Sequence, residues 1–134
     1  MKMLFVSNEN LAASMKESLA AYFENPEIEV LCFKYPSHLK ATTSLKAYLQ
    51  ACLALNPEEN FLILADRLGS TAFNETALLL QRLGLTGQAL IVTGMSLALA
   101  VRLYHLKNES SLEAVRQMFP TRSFIFEQME KKSA

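Results

Sequence analysis

Three polar clusters in this chain each follow an apolar run, and each carries groups able to bind or orient an anion. They are Ser7-Asn8-Glu9-Asn10, Asp66-Arg67-Leu68-Gly69-Ser70-Thr71 and Gly94-Met95-Ser96. Where such a cluster opens a helix, the first backbone N–H groups lack intrahelical partners. Together with nearby hydroxyls they can hold a phosphate. The same residues also serve as plain caps: Asn and Ser are among the best, and Thr71 reads as the N-cap of the helix after it. Gly69 gives its loop backbone freedom. Asp66 can cap or form a turn, or it can orient a neighbour. Beside a histidine it would accept a ring N–H and fix the tautomer. No histidine adjoins it, so a hydrogen bond to the Asn8 amide is the replacement. Pairing with Arg67 is disfavoured, because adjacent residues of an extended segment point apart. The histidines are His38, in a loop after Pro36, and His105, near the end of a helical segment, where it suits the dipole. The pattern places neither at a strand end, so neither is expected to be catalytic.

These clusters belong to a chain of 134 residues with 51% hydrophobic residues and a formal net charge of zero. That supplies one core and one domain. The neutral balance gives no electrostatic case for nucleic acid, and no Lys/Arg cluster marks an anionic membrane surface. The N-terminal apolar run is too short for a signal peptide, and no stretch approaches the roughly 20 apolar residues that span a bilayer. Cys32 and Cys52 read as two buried thiols of a cytosolic protein, not as a disulfide. No His/Cys spacing suggests zinc. A cytoplasmic protein without metal or cofactor is expected.

The elements that must position the clusters follow from periodicity. Near-continuous apolar runs at 3–6, 29–33, 60–65 and 89–93 predict strands covered on both faces. Between them, Leu11, Met15, Leu19, Tyr22 and Phe23 form one helical stripe. Leu45, Tyr48, Leu49, Cys52 and Leu53 form a second. Phe73, Ala77, Leu80 and Leu83 form a third, stopped by Gly84. Leu97, Ala100, Val101 and Tyr104 form a fourth, capped by Ser96. Ser110 with Glu113 reads as a capping box for a short last helix closed by Pro120. Residues 123–127 read as a terminal fifth strand and 131–134 as a frayed tail. This order predicts an α/β three-layer sandwich with a mostly parallel sheet and right-handed crossovers. In such sheets sites gather at the carboxyl ends of strands. All three polar clusters should therefore converge there on one shallow pocket, with Phe73 packed beneath it.

Known doubly wound families differ in fit. A dinucleotide fold needs a glycine-rich first turn, and residues 7–14 contain no glycine. A response-regulator receiver would use Asp66 as phosphoacceptor, but its acidic pair is reduced here to Glu9. The chain resembles most the mannose-family IIA component of the bacterial sugar phosphotransferase system, over about residues 3–119. Val6-Ser7-Asn8-Glu9-Asn10-Leu11-Ala12 is similar to the family's Val-Ser-His-Gly-x-Leu-Ala, except at Asn8 and Glu9. The segment from Asp66 to Asn74 matches Asp-Leu-Phe-Gly-Gly-Ser-Pro-Phe-Asn at Asp66, Gly69, Phe73 and Asn74, with Thr71 for serine. Thr93-Gly94-Met95-Ser96-Leu97 resembles Thr-Gly-Val-Asn-Leu.

The resemblance implies phosphoryl relay, in which a histidine takes phosphate from a small carrier protein and passes it to the IIB component. Asp66 matches the carboxylate that supports that histidine. Asn8 stands in the histidine's place and cannot form a phosphoimidazole, and Glu9 adds a charge that repels a phosphoryl group. Two readings follow. The first is a IIA-type component degenerate at its phosphorylation site, binding partner proteins or anions through Ser7, Glu9, Arg67, Gly69, Ser70, Thr71, Gly94 and Ser96. The second is a phosphoryl carrier that uses Asp66, His38 or His105. The resemblance also implies a homodimer that exchanges the terminal strand.

Overall fold

The computed structural model describes residues 1–119. Within them β1 runs Lys2–Asn8, α1 Leu11–Leu19, β2 Glu29–Phe33, α2 Leu39–Leu55 and β3 Phe61–Ala65. Then follow α3 Thr71–Arg82, β4 Ala89–Thr93, α4 Leu97–Glu109 and α5 Leu112–Met118. The strands pair in parallel in the order β2-β1-β3-β4. The chain thus has the α/β fold with a parallel four-stranded sheet that its periodicity predicts. The expected strand at 123–127 and the closing Pro120 lie outside the described residues.

Alternation along each strand sends side chains into two separate cores. Leu4, Val6, Ile63 and Ile91 meet Leu45 and Leu49 of α2 and Phe73 and Leu80 of α3. Met3, Phe5, Leu64 and Val92 meet Leu19 of α1, Leu103 of α4 and Val115 of α5. Every side chain of β3 is buried, which is why its sequence is unbroken Phe-Leu-Ile-Leu-Ala and does not alternate with polar residues. Apolar burial at about 25 cal/mol per Å² is the main term holding the three layers together.

Helix ends follow local chemistry, with three corrections to the sequence reading. Gly84 does stop α3. At φ +70° it donates to Gln81 O while the Leu85 N–H reaches back to Leu80 O, a Schellman closure with buried Leu85 beneath it. The first helix, however, ends at Leu19, so Tyr22 leaves the stripe and is exposed. Phe23 stays in place by packing on Tyr104, at 4.4 Å between ring centroids. The last helix is capped by Ser111, whose Oγ accepts the Ala114 N–H; Ser110 instead terminates α4. The two cysteines are free thiols, but only Cys52 is buried and Cys32 is half-buried. Burial, then the hydrogen bond with Cys52, push the Tyr48 phenol well above its usual range. Among the described residues no helix is long and apolar enough to cross a membrane.

The strand order fixes where a crevice opens. From β1 the chain moves to β2 on one side, then crosses to β3 on the other. The topological switch therefore lies between β1 and β3, at their carboxyl ends.

Candidate functional site

At that switch the β1–α1 and β3–α3 loops are tied by reciprocal hydrogen bonds. The Asp66 N–H donates to Val6 O at 3.1 Å, and the Asn8 backbone N–H donates to Asp66 Oδ2 at 3.0 Å. The other carboxylate oxygen, Oδ1, accepts the Arg67 N–H at 2.9 Å and the Ser70 hydroxyl at 2.7 Å. Three donors therefore converge on one carboxylate. Arg67 contributes its backbone, and the Asn8 partner is its backbone amide. The Asn8 side chain is used elsewhere: Oδ1 accepts the Ala72 N–H at 3.0 Å. Ser70, one residue before the expected Thr71, is the N-cap of α3, and its Oγ accepts the Phe73 N–H. Two of the orphan donors opening α3 are thus satisfied, one by Ser70 from within and one by Asn8 from another loop. Asn10 occupies the N-cap position of α1 but makes no side-chain cap. Buried Ser7 replaces it, taking the Ala12 N–H at 2.7 Å. Gly69 has φ +82° with no heavy atom near where a Cβ would stand, so backbone conformation alone calls for glycine there.

Glu9 also has a positive φ, +54°, in a region that costs a side-chain-bearing residue energy. Its N–H donates to Phe33 O, and its Oε1 accepts the Tyr35 N–H at 3.1 Å. The β1–α1 loop is therefore also clasped to the β2–α2 loop. Between them lies a hollow of about 210 Å³, lined by Asn8, Glu9, residues 33–36, His38 and Thr71. His38 Nε2 stands 3.3 Å from Glu75 Oε1 on α3. Its position in the loop after β2 corrects the expectation that it lies away from strand ends. His105 does lie elsewhere, packed edge-on against Phe23 at 5.0 Å. It sits on α4 more than three residues before Glu109.

The third cluster joins less closely. The Met95 N–H donates to Asp66 O, but Gly94 and Ser96 do not line the hollow. Ser96 caps α4 by accepting the Leu99 N–H. Phe73 is buried beneath. Among the described residues no three His, Cys, Asp or Glu side chains gather as metal ligands.

The family model for the PTS system fructose IIA component, of the mannose type, matches residues 2–119. The chain belongs to this IIA family. Solved IIA structures share the fold. The mannose/sorbose specific IIA subunit of the phosphotransferase system from Enterococcus faecalis aligns with a TM-score of 0.63 at 21% identity, covering 99% of this chain and 91% of that one. The PTS IIA protein associated with the fucose utilization operon from Streptococcus pneumoniae aligns at 0.58 with 16% identity, covering 99% and 90%. At such identities the likeness carries the fold alone. No curated protein matches in sequence. Within this IIA domain, sequence reasoning missed Lys34, Tyr35 and Glu75, and it named His38 only as an alternative carrier placed away from strand ends. A signal for Lys34, Tyr35 and His38 was present: the Lys-Tyr-Pro-Ser-His stretch follows a parallel strand, as the three chosen clusters do. Glu75 carried none, because only folding brings α3 beside that loop.

Proposed function

We propose that this IIA component no longer relays phosphate at position 8. It acts instead by docking partner proteins of a sugar phosphotransferase system through the carboxyl edge of its sheet. One observation carries the reading. The residue that the resemblance sets at the phosphohistidine position has its acceptor oxygen committed to the Ala72 N–H, and its amide nitrogen is no nucleophile. Asp66 is a poor substitute, because an acyl phosphate on Oδ2 would displace the Asn8 N–H and one on Oδ1 would displace the Arg67 N–H and the Ser70 hydroxyl. Docking is supported by the surface around the site. Leu11, Tyr35, Leu39 and Leu68 sit on loops or first helical turns at this edge, and they are 44%, 89%, 69% and 49% exposed. Exposed apolar groups at one edge are the material of contact surfaces. The candidate partners are the carrier protein and the IIB component, and a cytoplasmic location is part of this reading.

The test is incubation with phosphoenolpyruvate, the general phosphotransferase enzyme, the carrier protein and labelled phosphate, alongside a binding titration with the IIB component. The expected result is saturable binding that Tyr35→Ala and Leu68→Ala weaken, with no label on the chain. A second reading has its own observation. His38 shares the hollow with Asn8, and Glu75 would accept its Nε2–H and leave Nδ1 as the free lone pair. An acid-labile, base-stable label that disappears in His38→Ala would establish that reading and overturn the first.

A further inference from the structure

The hollow at the centre of this edge has a chemical character of its own. Asn8 Oδ1 is spent on α3 and Glu9 Oε1 on Tyr35, which leaves an amide NH₂ and one carboxylate oxygen without partners among the described residues. Lys34, Thr71 and His38 are among the residues that line the same space. Donors and acceptors are therefore mixed, and the Lys34 and Glu9 charges cancel. An anion would meet Glu9 and a cation would meet Lys34. A neutral hydroxyl group, which both donates and accepts, suits every position. Tyr35 and Pro36 add apolar groups to the lining, the usual complement to a few placed polar groups in a ligand site. A volume of about 210 Å³ equals that of about seven waters at ~30 Å³ each. One sugar ring or a short polyol fits within it.

We infer that this hollow binds a neutral polyhydroxy ligand of monosaccharide size, between the Asn8-Glu9 corner and the Tyr35-Pro36 pair. The ligand would occupy the middle of the docking edge, and its regulatory meaning rests on the docking reading above. Its binding does not, because it is measured on the chain alone.

The experiment follows backbone amide shifts of the full chain as D-mannose, D-fructose, D-glucitol or inorganic phosphate is added. At least one polyol should give saturable shifts at Asn8, Glu9, Tyr35 and Thr71. Lys34→Met and Tyr35→Ala, both at exposed positions, should each weaken binding by about tenfold, the loss expected for a hydrogen bond or apolar contact. Saturable phosphate shifts at these amides with none from the polyols would overturn the inference in favour of an anion site. Absence of saturation by any probe would overturn it, and so would binding unchanged in both variants. Polyol binding without IIB binding would leave this site standing and remove the docking reading.

Discussion

Asn8 caps a helix that its own strand does not lead into, and this makes the residue structural. Asn8→Ala would leave the Ala72 N–H unpaired at a half-buried helix start. The expected cost is about 1–2 kcal/mol, read as a lower urea midpoint with unchanged slope. Glu9 works the other way. Glycine would release the strain of its positive φ, worth about 1–2 kcal/mol, and would forfeit only an exposed bond to Tyr35. Glu9→Gly should therefore raise stability by about 0.5–1 kcal/mol net and speed exchange of the Tyr35 amide; a lower midpoint would show that the clasp outweighs the strain. Asn8→His alone should regain phosphorylation only in part, because the Glu9 charge remains, and Asn8→His with Glu9→Gly should label faster. Equal labelling of the two would show that Glu9 is no obstacle. The sequence made positions 8 and 9 conspicuous. It did not reveal their bonds, since partners at separations of 58, 64 and 26 residues leave no local trace.

At the scale of elements, the signals that held were those whose physics is local. The runs at 29–33 and 89–93 became strands of those bounds because each is a short apolar run followed by a turn-forming stretch, at Pro36 and at Gly94. Ser96 and Gly84 acted as read, since a cap or a left-handed stop involves neighbours within a turn. Gly84→Ala meets no steric obstacle, so its cost should be the conformational one alone, about 1 kcal/mol. Calorimetry should show a drop in Tm of a few degrees; a drop matching a core deletion would refute the steric argument. The misreadings were choices between adjacent hydroxyls. Ser70 or Thr71, and Ser110 or Ser111, differ little in propensity, so local sequence does not separate them. Tyr22 looked periodic, but α1 breaks at Leu19 before reaching it.

For the whole molecule, the sheet order leaves β4 at one edge among the described residues, and the apolar run Ser123-Phe124-Ile125-Phe126 lies in the chain that follows. Open edges invite pairing, and exchange of such a segment is a low-cost route to a symmetric dimer. We expect a homodimer by sedimentation at micromolar concentration, and a monomer after truncation at Pro120. A monomeric intact chain, or a dimer that survives truncation, would count against strand exchange.

The same strand order also governs when the site comes into being. β1 is made first but is central: it can pair with β2 early, while its other flank waits for β3. Loops closed over such distances form late, because their entropy must be met before the contacts repay it. The corner of Asn8 and Asp66 is then expected to form late on the folding pathway. Changes there fall mainly on how fast the native state opens and little on how fast it is reached. The proposed docking edge could thereby vary over generations without putting the route to the fold at risk.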